Sequence, residues 1–545
     1  MRRRAVAALV AGATLTLAGC GGGGGLRLPD SSRRASVPAA DTGGSAGAAA
    51  TSTPTSTSTP VSGLASAPAG STPTPPPPPP NGAAAALAWG GCPGKQDKSD
   101  QCVRLAVPLD RSAPAGRKID LALIRRPAGD RGHRLGSLLL NPGGPGGSTV
   151  QEFDGLTSQL SPVLRERFDV VGFDPRGVGS SSPVQCLQGK ELDALSASSP
   201  DPLTPTGVAE VERDARVQVQ ACSRRSGDLL PFVGTADAAR DMDDIRAAVG
   251  DDRLTYLGYS YGTLLGATYA SLFPRKVRAL VLDGAVDPGL GPIEATEVQA
   301  VGFETALQTF LADCQRRRST CGWDPGGDLL ARYRALAARI AAAPLPTGDQ
   351  ARPLTASLAL TGVAAALYSR DSWTYLEQGL AQADRGNGRV LLALADFLNE
   401  RAEDGTYSSL VASNTAVNCR DESAPRGTAP YVQSYRRLQR TAPDFAALAL
   451  SGYVCAIWPA RQPASPAPLT VRGAPPLLVV GSTGDPATPF SEAQALTKRL
   501  PGSVLLTRQG EGHTGYGASA CVRAKVDAYL VDPAALPPAG TICPS

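Results

Sequence analysis

Short apolar runs alternate with helix-like segments over the first half of the folded part of the chain. Helical periodicity predicts helices over Thr235–Val249 and Tyr261–Phe273, and a polar stretch runs from about Cys186 to Cys222. Apolar runs bounded by turn residues indicate strands at Val103–Leu109, Ile119–Ile124, Ser137–Leu140, Phe168–Phe173, Leu254–Leu257 and Val277–Leu282. This alternation is typical of an α/β fold with a mostly parallel, doubly wound sheet that has helices on both faces.

The pattern changes after Asp283, where helix-like segments dominate for more than a hundred residues. Examples are Ala300–Gln315, Asp328–Ala343 and Val390–Ala402. Strand-like runs then return at Pro476–Gly481 and Ser503–Leu506, before a helix near Cys521–Leu530. We therefore predict one core, formed by residues 89–290 and 471–545, that carries a large, mainly helical cap at residues 291–470. Such a cap is expected to act as a lid over an active site.

The first twenty residues predict export. Three arginines, Arg2 to Arg4, precede the apolar run Ala5–Ala18, which is too short to span a bilayer. Leu17-Ala18-Gly19-Cys20 resembles the lipobox of bacterial lipoproteins, in which the cysteine is lipidated and becomes the N-terminus. The alternative is an ordinary secretory signal with an incidental cysteine. We expect the protein to be lipid-anchored through Cys20 to the outer face of the cell membrane, or released from the cell.

Residues 21–88 are rich in Gly, Ser, Thr and Pro and end near the proline run Pro75–Pro80. Their apolar surface is too small to offset the entropy of ordering, so we expect a disordered tether with a stiff polyproline part. The 53 basic and 49 acidic residues are interleaved along the chain, and the net charge is only +4. Nucleic acid is therefore not an expected partner, because such partners require clustered basic residues.

The cysteines fit an oxidising compartment. Eleven are present, and removing Cys20 leaves ten, with no C-x-x-C pair that would indicate zinc. Three pairs lie close together in sequence: Cys92 with Cys102, Cys314 with Cys321, and Cys521 with Cys543. For the remaining four we expect Cys186–Cys222 and Cys419–Cys455, although sequence alone does not fix connectivity.

Three residues form a candidate catalytic triad. Ser260 lies in Gly258-Tyr-Ser-Tyr-Gly262, a G-x-S-x-G motif between a predicted strand and a predicted helix. Of the two histidines, His133 lies in a polar turn and is expected to be solvated. His513 lies in a glycine-rich loop past a late strand and is the predicted base. Asp485 follows the preceding strand and is the predicted acid, although an Asx-turn before a proline is an alternative or additional role.

An acyl-transfer site also needs donors for the oxyanion. The backbone N–H of Tyr261, which follows the serine, is the first candidate. The second is Gly143 or Gly144 in the glycine-rich loop Asn141–Ser148. A plain flexible turn or a phosphate cradle would be alternatives, but no G-K-[ST] or G-x-G-x-x-G pattern is present. We expect neither a metal nor another cofactor.

Five motifs in one order resemble the secreted tripeptidyl aminopeptidases of actinobacteria, which are relatives of proline iminopeptidase. The motifs are N-P-G-G-P-G-G-S from Asn141, D-P-R-G-V-G-S-S from Asp174, G-Y-S-Y-G from Gly258, G-D-P-A-T-P from Gly484 and G-E-G-H-T from Gly510. The resemblance extends from about Gly90 to the C-terminus. It implies an α/β-hydrolase core with a helical cap, which cleaves short units from peptides with a free N-terminus. It also implies that a segment from about Asn418 onward completes the core.

An aminopeptidase must recognise the ammonium group of its substrate, so a carboxylate should lie near the cleft. Asn418-Cys-Arg-Asp421-Glu422 resembles the family's Cys-x-Asp stretch, which makes Asp421 the first candidate and Glu422 the second. The alternative is a surface charge beside a disulfide.

Three functions remain open on sequence alone. The resemblance favours a serine exopeptidase acting on peptides with a free N-terminus. A cell-envelope carboxylesterase or lipase would use the same triad, because a fold does not determine its substrate. A non-catalytic envelope lipoprotein would also keep the fold, but the retention of every triad and oxyanion element argues against it.

Overall fold

A single ten-stranded sheet organises the chain. The computed structural model describes residues 87–95, 97–324, 326–460, 469 and 471–544, so Cys20 and nearly all of the predicted tether lie outside the described residues. The strands are β1 (Gly90–Gly91), β2 (Gln101–Pro108), β3 (Lys118–Arg126), β4 (Gly136–Asn141), β5 (Phe168–Phe173), β6 (Leu254–Tyr259), β7 (Val277–Asp283), β8 (Leu478–Gly484), β9 (Val504–Glu511) and β10 (Ile542–Cys543).

The order of strands across the sheet is β1-β2-β3-β5-β4-β6-β7-β8-β9-β10. The first four strands in this order pair antiparallel, and every pair from β5 to β10 is parallel. The predicted α/β class with a mostly parallel sheet is therefore confirmed. In such a sheet the carboxyl ends of the strands meet at one edge, where binding and catalytic residues collect.

Helices join the strands on both sides of the insertion. Before β7 they are α1 (Thr149–Gln159), α2 (Pro162–Arg167), α3 (Lys190–Ala197), α4 (Pro205–Ser226), α5 (Thr235–Ala248) and α6 (Tyr261–Leu272). Between β7 and β8 they are α7 (Pro292–Arg316), α8 (Leu329–Ala342), α9 (Ala356–Leu367), α10 (Trp373–Asp384), α11 (Arg389–Leu398), α12 (Leu410–Asp421), α13 (Ala429–Thr441) and α14 (Tyr453–Ala456). After β8 they are α15 (Phe490–Arg499) and α16 (Ala520–Val531).

Alternate residues of the strands point into two hydrophobic clusters on opposite faces of the sheet. Leu139 of β4 belongs to a cluster that includes Met242 of α5 and Leu265 of α6. Its neighbour Leu138 belongs to a second cluster with Phe153 of α1. Because successive side chains of a strand face opposite ways, helices must cover both faces to bury both sets. This arrangement is the doubly wound architecture that the apolar runs predict.

The stretch predicted only as polar, from Cys186 to Cys222, contains most of two helices, α3 and α4. Of its 22 residues, α4 buries five: Gly207, Ala215, Ala221, Cys222 and Ser226. Small and polar buried residues give a weak apolar stripe, and this is why periodicity did not reveal the helix. The edge strands β1 and β10 are two residues long, too short for any periodic pattern.

Five disulfides link the ten cysteines of the folded part. They are Cys92–Cys102, Cys186–Cys222, Cys314–Cys321, Cys419–Cys455 and Cys521–Cys543, the same pairs that we expected from the sequence. Disulfides of this number place the protein in an oxidising, extracytoplasmic environment. Among the described residues, no helix combines the length and apolar character that crossing a bilayer would need.

Candidate active site

Ser260 occupies the sharp turn between β6 and α6. Its backbone lies at φ 53° and ψ −124°, a region that non-glycine residues rarely adopt. A Cβ atom at Gly258 would lie 2.5 Å from the Gly262 carbonyl oxygen, and one at Gly262 would lie 2.8 Å from the Asn141 side-chain oxygen. The two glycines of the motif are therefore required because the turn and the glycine-rich loop pack against them. This geometry exposes the serine at the carboxyl edge of the sheet.

His513 and Asp485 are in direct contact. His513 Nδ1 lies 2.8 Å and 2.9 Å from the two carboxylate oxygens of Asp485, and the histidine is only 3% exposed. Asp485 also accepts the backbone N–H groups of Ala487 and Thr488 at 3.0 Å and 2.9 Å, so it forms the predicted Asx-turn as well. A carboxylate held in this way fixes both the ring orientation and the Nδ1–H tautomer of the imidazole.

The end of β7 contacts both the Ser260 turn and His513. The Ser260 N–H donates to the carbonyl oxygen of Asp283 at 2.9 Å. The next residue, Gly284, approaches the imidazole so closely that a Cβ atom there would lie 3.0 Å from His513 Cε1. His513 Nε2 is buried and accepts no hydrogen bond from any described residue. The ring nitrogen opposite Asp485 is therefore left open for a hydroxyl proton, as a general base requires.

Two side chains that the sequence did not single out hold the histidine loop. The carboxylate of Asp283 accepts the N–H groups of Gly515 and Tyr516, both at 2.8 Å. The guanidinium of Arg508 donates to carbonyl oxygens on the other side of the loop, including Glu511 at 3.0 Å and Thr514 at 3.3 Å. Because both act on the backbone, no motif around His513 would reveal them.

Two further neighbours contact the histidine. The Thr488 hydroxyl lies 3.2 Å from a carboxylate oxygen of Asp485 and 3.3 Å from His513 Nδ1. Tyr368 follows α9 in the insertion, and its carbonyl oxygen accepts the backbone N–H of His513 at 2.8 Å. Its ring packs edge-to-face against the imidazole, with 5.5 Å between the ring centroids. The insertion between β7 and β8 therefore contacts the candidate base directly.

The glycine-rich loop lies against the serine turn. A Cβ atom at Gly143 would lie 2.8 Å from Ser260 Cβ and 3.2 Å from the Tyr261 nitrogen. The Gly143 N–H donates to the Asn141 side chain at 3.1 Å, whereas the Gly144 N–H donates to no described residue. Tyr261 is the first residue of α6, so its N–H has no acceptor within the helix. Of the two glycines, Gly144 is thus the one with a donor available.

The fold and the site agree with the comparison against known families. The alpha/beta hydrolase fold family matches residues 136–517, a range that includes Ser260, Asp485 and His513. The chain belongs to the α/β-hydrolase family. The helices between β7 and β8 are an insertion into the doubly wound core of this α/β-hydrolase.

Relatives of this α/β-hydrolase include named peptidases. "Serine protease Hip1" of Mycobacterium tuberculosis is 39% identical over 457 residues, 81% of this chain and 87% of the relative. "Tripeptidyl aminopeptidase" of Streptomyces lividans is 34% identical over 470 residues, 82% of this chain and 85% of the relative. "Carboxylesterase B" of Mycobacterium tuberculosis is 38% identical over 459 residues, 82% and 86%. The resemblance seen in the motifs is confirmed, and the chain is a serine hydrolase.

The C-terminal end of α12 carries the two candidate anchor carboxylates of this α/β-hydrolase. Asp421 accepts the Thr235 N–H at 3.0 Å and the Thr235 hydroxyl at 2.5 Å, and so caps α5. The same hydroxyl lies 2.6 Å from the phenolic oxygen of Tyr261. No described residue donates a side-chain hydrogen bond to Glu422 or pairs with it as a cation. The structure thus leaves Glu422 more open to a ligand than Asp421, which we expected to be the first candidate.

Burial and neighbouring charges shift the pKa values of Glu422, Asp421 and His513. Burial raises the pKa of Glu422 to about 7, and the charge of Asp421 adds to this shift. Burial also raises the pKa of Asp421 to about 6, against the hydrogen bonds from Thr235. Burial alone would lower the pKa of His513, but the charges of Asp485, Asp283 and Glu492 outweigh it and the pKa is raised. A base with a raised pKa is stabilised as the imidazolium that forms during catalysis.

His133 and one group of possible metal-ligand atoms lie away from this site. The His133 side chain is 74% exposed and its Nδ1 lies 2.7 Å from an Asp130 carboxylate oxygen in the same turn, in agreement with the expected solvated residue. Ligand atoms of Cys314, Cys321 and Glu377 lie within 4.8 Å of one another in the described part of the chain. The two sulfurs form a disulfide there and are not thiolate ligands.

Proposed function

We propose that this serine hydrolase is an exported exopeptidase that releases tripeptides from the free N-terminus of peptides through an acyl-enzyme. Ser260 is the nucleophile, His513 the general base and Asp485 the residue that orients the histidine. The acidic pair Asp421–Glu422 binds the substrate ammonium. The observation that carries the proposal is the position of this pair, which is linked through Thr235 to the side chain of the residue that follows Ser260.

The chemistry follows from the contacts. His513 Nε2 takes the Ser260 hydroxyl proton as the oxygen attacks the scissile carbonyl, and the N–H groups of Tyr261 and Gly144 stabilise the oxyanion. The imidazolium then donates that proton to the leaving amine, and the C–N bond breaks. Water attacks the acyl-enzyme with His513 as base again, which releases the peptide acid and restores the Ser260 hydroxyl.

The charge of the pair suits an ammonium group. Two adjacent, largely buried carboxylates repel each other, and the charge of Asp421 contributes to the raised pKa of Glu422. A bound cation relieves that repulsion, so the pair gains more from an ammonium than a single exposed carboxylate would. The name "Tripeptidyl aminopeptidase" of a relative supports the same substrate class. The name "Carboxylesterase B" of another keeps an esterase as the second candidate.

The test compares three fluorogenic or chromogenic substrates: a free tripeptide conjugate, its N-acetylated twin and a short-chain ester. We expect the free tripeptide to be cleaved at least about 10-fold more efficiently than the acetylated one, since a charged hydrogen bond contributes about 1.5–3 kcal/mol. Ser260→Ala should lower kcat/KM for every substrate by at least about 10⁴-fold. Ester turnover without peptide turnover would favour the esterase, and no turnover at all would favour a non-catalytic lipoprotein.

The pH dependence of KM distinguishes the role of the acidic pair Asp421–Glu422 from that of the base His513. The pair binds an ammonium only when ionised, so the KM for the free tripeptide should rise as the pH falls through 7 and 6, the pKa values of Glu422 and Asp421. The KM for the ester should not follow, because an ester has no ammonium to bind. Parallel changes in both KM values would contradict the anchor assignment.

We propose in addition that the exported protein is anchored to the outer face of the membrane through a lipid on Cys20. The short apolar run before Leu17-Ala18-Gly19-Cys20 supports this, as does the tether-like composition of residues 21–88. Cys20→Ala should move the protein from the membrane fraction to the medium, or leave it uncleaved, without changing kcat of the folded part. Unchanged membrane fractionation of an N-terminally processed Cys20→Ala protein would contradict the lipid anchor.

A further inference from the structure

Helix α12 belongs to the insertion, but its first turn packs on the glycine-rich loop beside Ser260. A Cβ atom at Gly146 would lie 2.8 Å from the Leu410 carbonyl oxygen and 3.1 Å from the Asn414 nitrogen. The Asn414 side-chain amide donates to the Pro145 carbonyl oxygen at 3.1 Å. The start of α12 is thus fixed to the loop that supplies a candidate oxyanion donor.

The far end of α12 is connected to the same turn by a second route. Asp421, its last residue, is hydrogen-bonded to Thr235, whose hydroxyl lies 2.6 Å from the phenolic oxygen of Tyr261. The side chain of Tyr261 therefore extends from the Ser260 turn to the end of α12. Both ends of the helix are held relative to the candidate nucleophile, one through a loop and one through a side chain.

One face of α12 presents a polar stripe between these ends. Asn414 and Asn418 are four residues apart and lie along one side of the helix. Glu422, four residues further, directly follows the last turn, and its N–H donates to the Asn418 carbonyl oxygen at 2.9 Å. The Asn418 amide donates to the Asn414 side-chain oxygen at 3.1 Å, and no described residue donates to the Asn418 side-chain oxygen. All three residues are partly exposed. Side-chain amides in such a row can donate to the C=O groups and accept from the N–H groups of an extended peptide. In the free peptide these backbone groups are hydrogen-bonded to water.

The length of the stripe matches a short peptide. Eight residues separate Asn414 from Glu422, which is about 12 Å along a helix at 1.5 Å per residue. Three residues of extended peptide span about 10 Å at 3.3–3.6 Å per residue. The Tyr261 side chain and the Thr235 hydroxyl link the Ser260 turn to the end of α12, through hydrogen bonds of 2.6 Å between the two and 2.5 Å from Thr235 to Asp421. A single peptide residue would be far too short to reach from Glu422 to the Asn414 end of the stripe.

We propose that the Asn414–Asn418–Glu422 face of α12 is the binding site for the N-terminal residues of the peptide, and that its length sets the release of three residues per cut. The proposal rests on the proposed exopeptidase function and adds to it the register, that is, the position of each peptide group along the site. The substrate ammonium lies at Glu422, Asn418 bonds the peptide backbone, and the third carbonyl lies at Ser260.

The test uses free-N-terminus conjugates of one to four residues and a short-chain ester, with the full exported chain. Asn418→Ala should raise the KM for the tripeptide conjugate about three- to tenfold, because one hydrogen bond to substrate is lost, and leave ester turnover within twofold. Thr415→Ala is the matched control on the same helix. Its hydroxyl contacts Gln218 at 3.0 Å rather than the stripe, so peptide KM should stay within twofold.

A second variant moves the carboxylate. Asn418→Glu combined with Glu422→Gln brings the negative charge one turn, about 6 Å, nearer to the glycine-rich loop. The preferred substrate should shift from three residues to one or two, with ester turnover retained. Unchanged tripeptide KM in Asn418→Ala would overturn the proposal, as would an unchanged length preference in an ester-active double variant. If the double variant loses ester turnover, Asn418→Ala alone decides.

Failure of the proposed function would have a different signature. A wild-type chain that cleaves the ester but none of the free peptides refutes the exopeptidase itself. A wild-type chain that cleaves free peptides and rejects acetylated ones, but prefers one or two residues, keeps the exopeptidase and overturns the register.

Discussion

At the scale of single residues, Asp283 joins the two halves of the proposed catalytic machinery. Its carbonyl oxygen accepts the Ser260 N–H, and its carboxylate accepts two N–H groups of the loop that carries His513. It is fully buried, and burial raises its pKa to about 6. Asp283 is therefore a positioning residue that also places a negative charge beside the imidazole.

Asp283→Asn tests this role. The substitution keeps the volume but turns one acceptor into a donor that opposes a backbone N–H, so we expect kcat to fall about 10- to 100-fold with little change in KM. Loss of the charge should lower the pKa of His513 and move the acidic limb of kcat/KM to lower pH. Asp485 and Glu492, whose charges also raise the pKa of His513, remain in place. Arg508 still bonds the carbonyl oxygens of the same loop.

The matched control is Asp527→Asn in α16. Asp527 is also buried and accepts a hydrogen bond from the Tyr516 hydroxyl at 2.8 Å, but it has no contact with His513. Asp527→Asn should lower the free energy of unfolding without moving the acidic limb of the kcat/KM profile. Equal shifts of that limb in both variants, or no shift in Asp283→Asn, would show that Asp283 has only a structural role.

Sequence reasoning finds residues with a local signature and misses those that act through the backbone. Ser260 is marked by flanking glycines whose absent side chains the turn requires, and His513 is one of only two histidines. Asp283 and Tyr368 instead bond main-chain atoms far away in sequence, and Arg508 bonds carbonyl oxygens three to six residues away, so no motif spacing identifies them. The preference for Gly144 over Gly143 likewise needs the bond from Gly143 to Asn141.

At the scale of elements, strands are predictable where both faces are buried. Phe168–Phe173 is apolar except for Asp169, and the structure assigns β5 the same bounds, with all six residues buried. Helix α12 shows the opposite case. Its buried residues are mostly small, with Ala412, Ala416 and Cys419 among them, so its apolar stripe is weak in the sequence. It also bonds loops of the core through Ser409 and Ser413. Its place beside the active site follows only from those long-range contacts.

The disulfide Cys419–Cys455 fixes the functional end of α12 to α14. Replacing both cysteines by serine should lower the free energy of unfolding by about 3–4 kcal/mol, as expected for a loop of this size. The KM for the free tripeptide should also rise, because the segment with Asp421 and Glu422 is released, while ester turnover at low temperature is kept. Denaturant titration and steady-state kinetics measure the two effects.

The control is the pair Cys521–Cys543, which closes a loop of 22 residues at the edge of the sheet near β10. Its removal should cost a comparable free energy of unfolding and leave the KM for both substrates unchanged. A rise in peptide KM in both double variants would mean that general loosening, and not the position of α12, controls substrate binding.

At the scale of the whole molecule, the core sheet and the insertion both contribute residues to the candidate site. The sheet presents the serine, acid and histidine at one edge, and the insertion reaches that edge at two places, Tyr368 on the histidine and α12 on the glycine-rich loop. The alternation of strands and helices predicts the sheet, and the break after Asp283 predicts the insertion. Which face of the insertion meets the site depends on tertiary packing, which periodicity does not encode.

The most direct test of this account is mass spectrometry of the products from an unlabelled decapeptide with a free N-terminus, followed over time. The account predicts that the wild-type protein first releases the N-terminal tripeptide and a heptapeptide. It also predicts that the acetylated decapeptide stays intact and that Ser260→Ala yields neither product. Fragments from internal cleavage, an acetylated substrate cut as readily as the free one, or products from Ser260→Ala would contradict it.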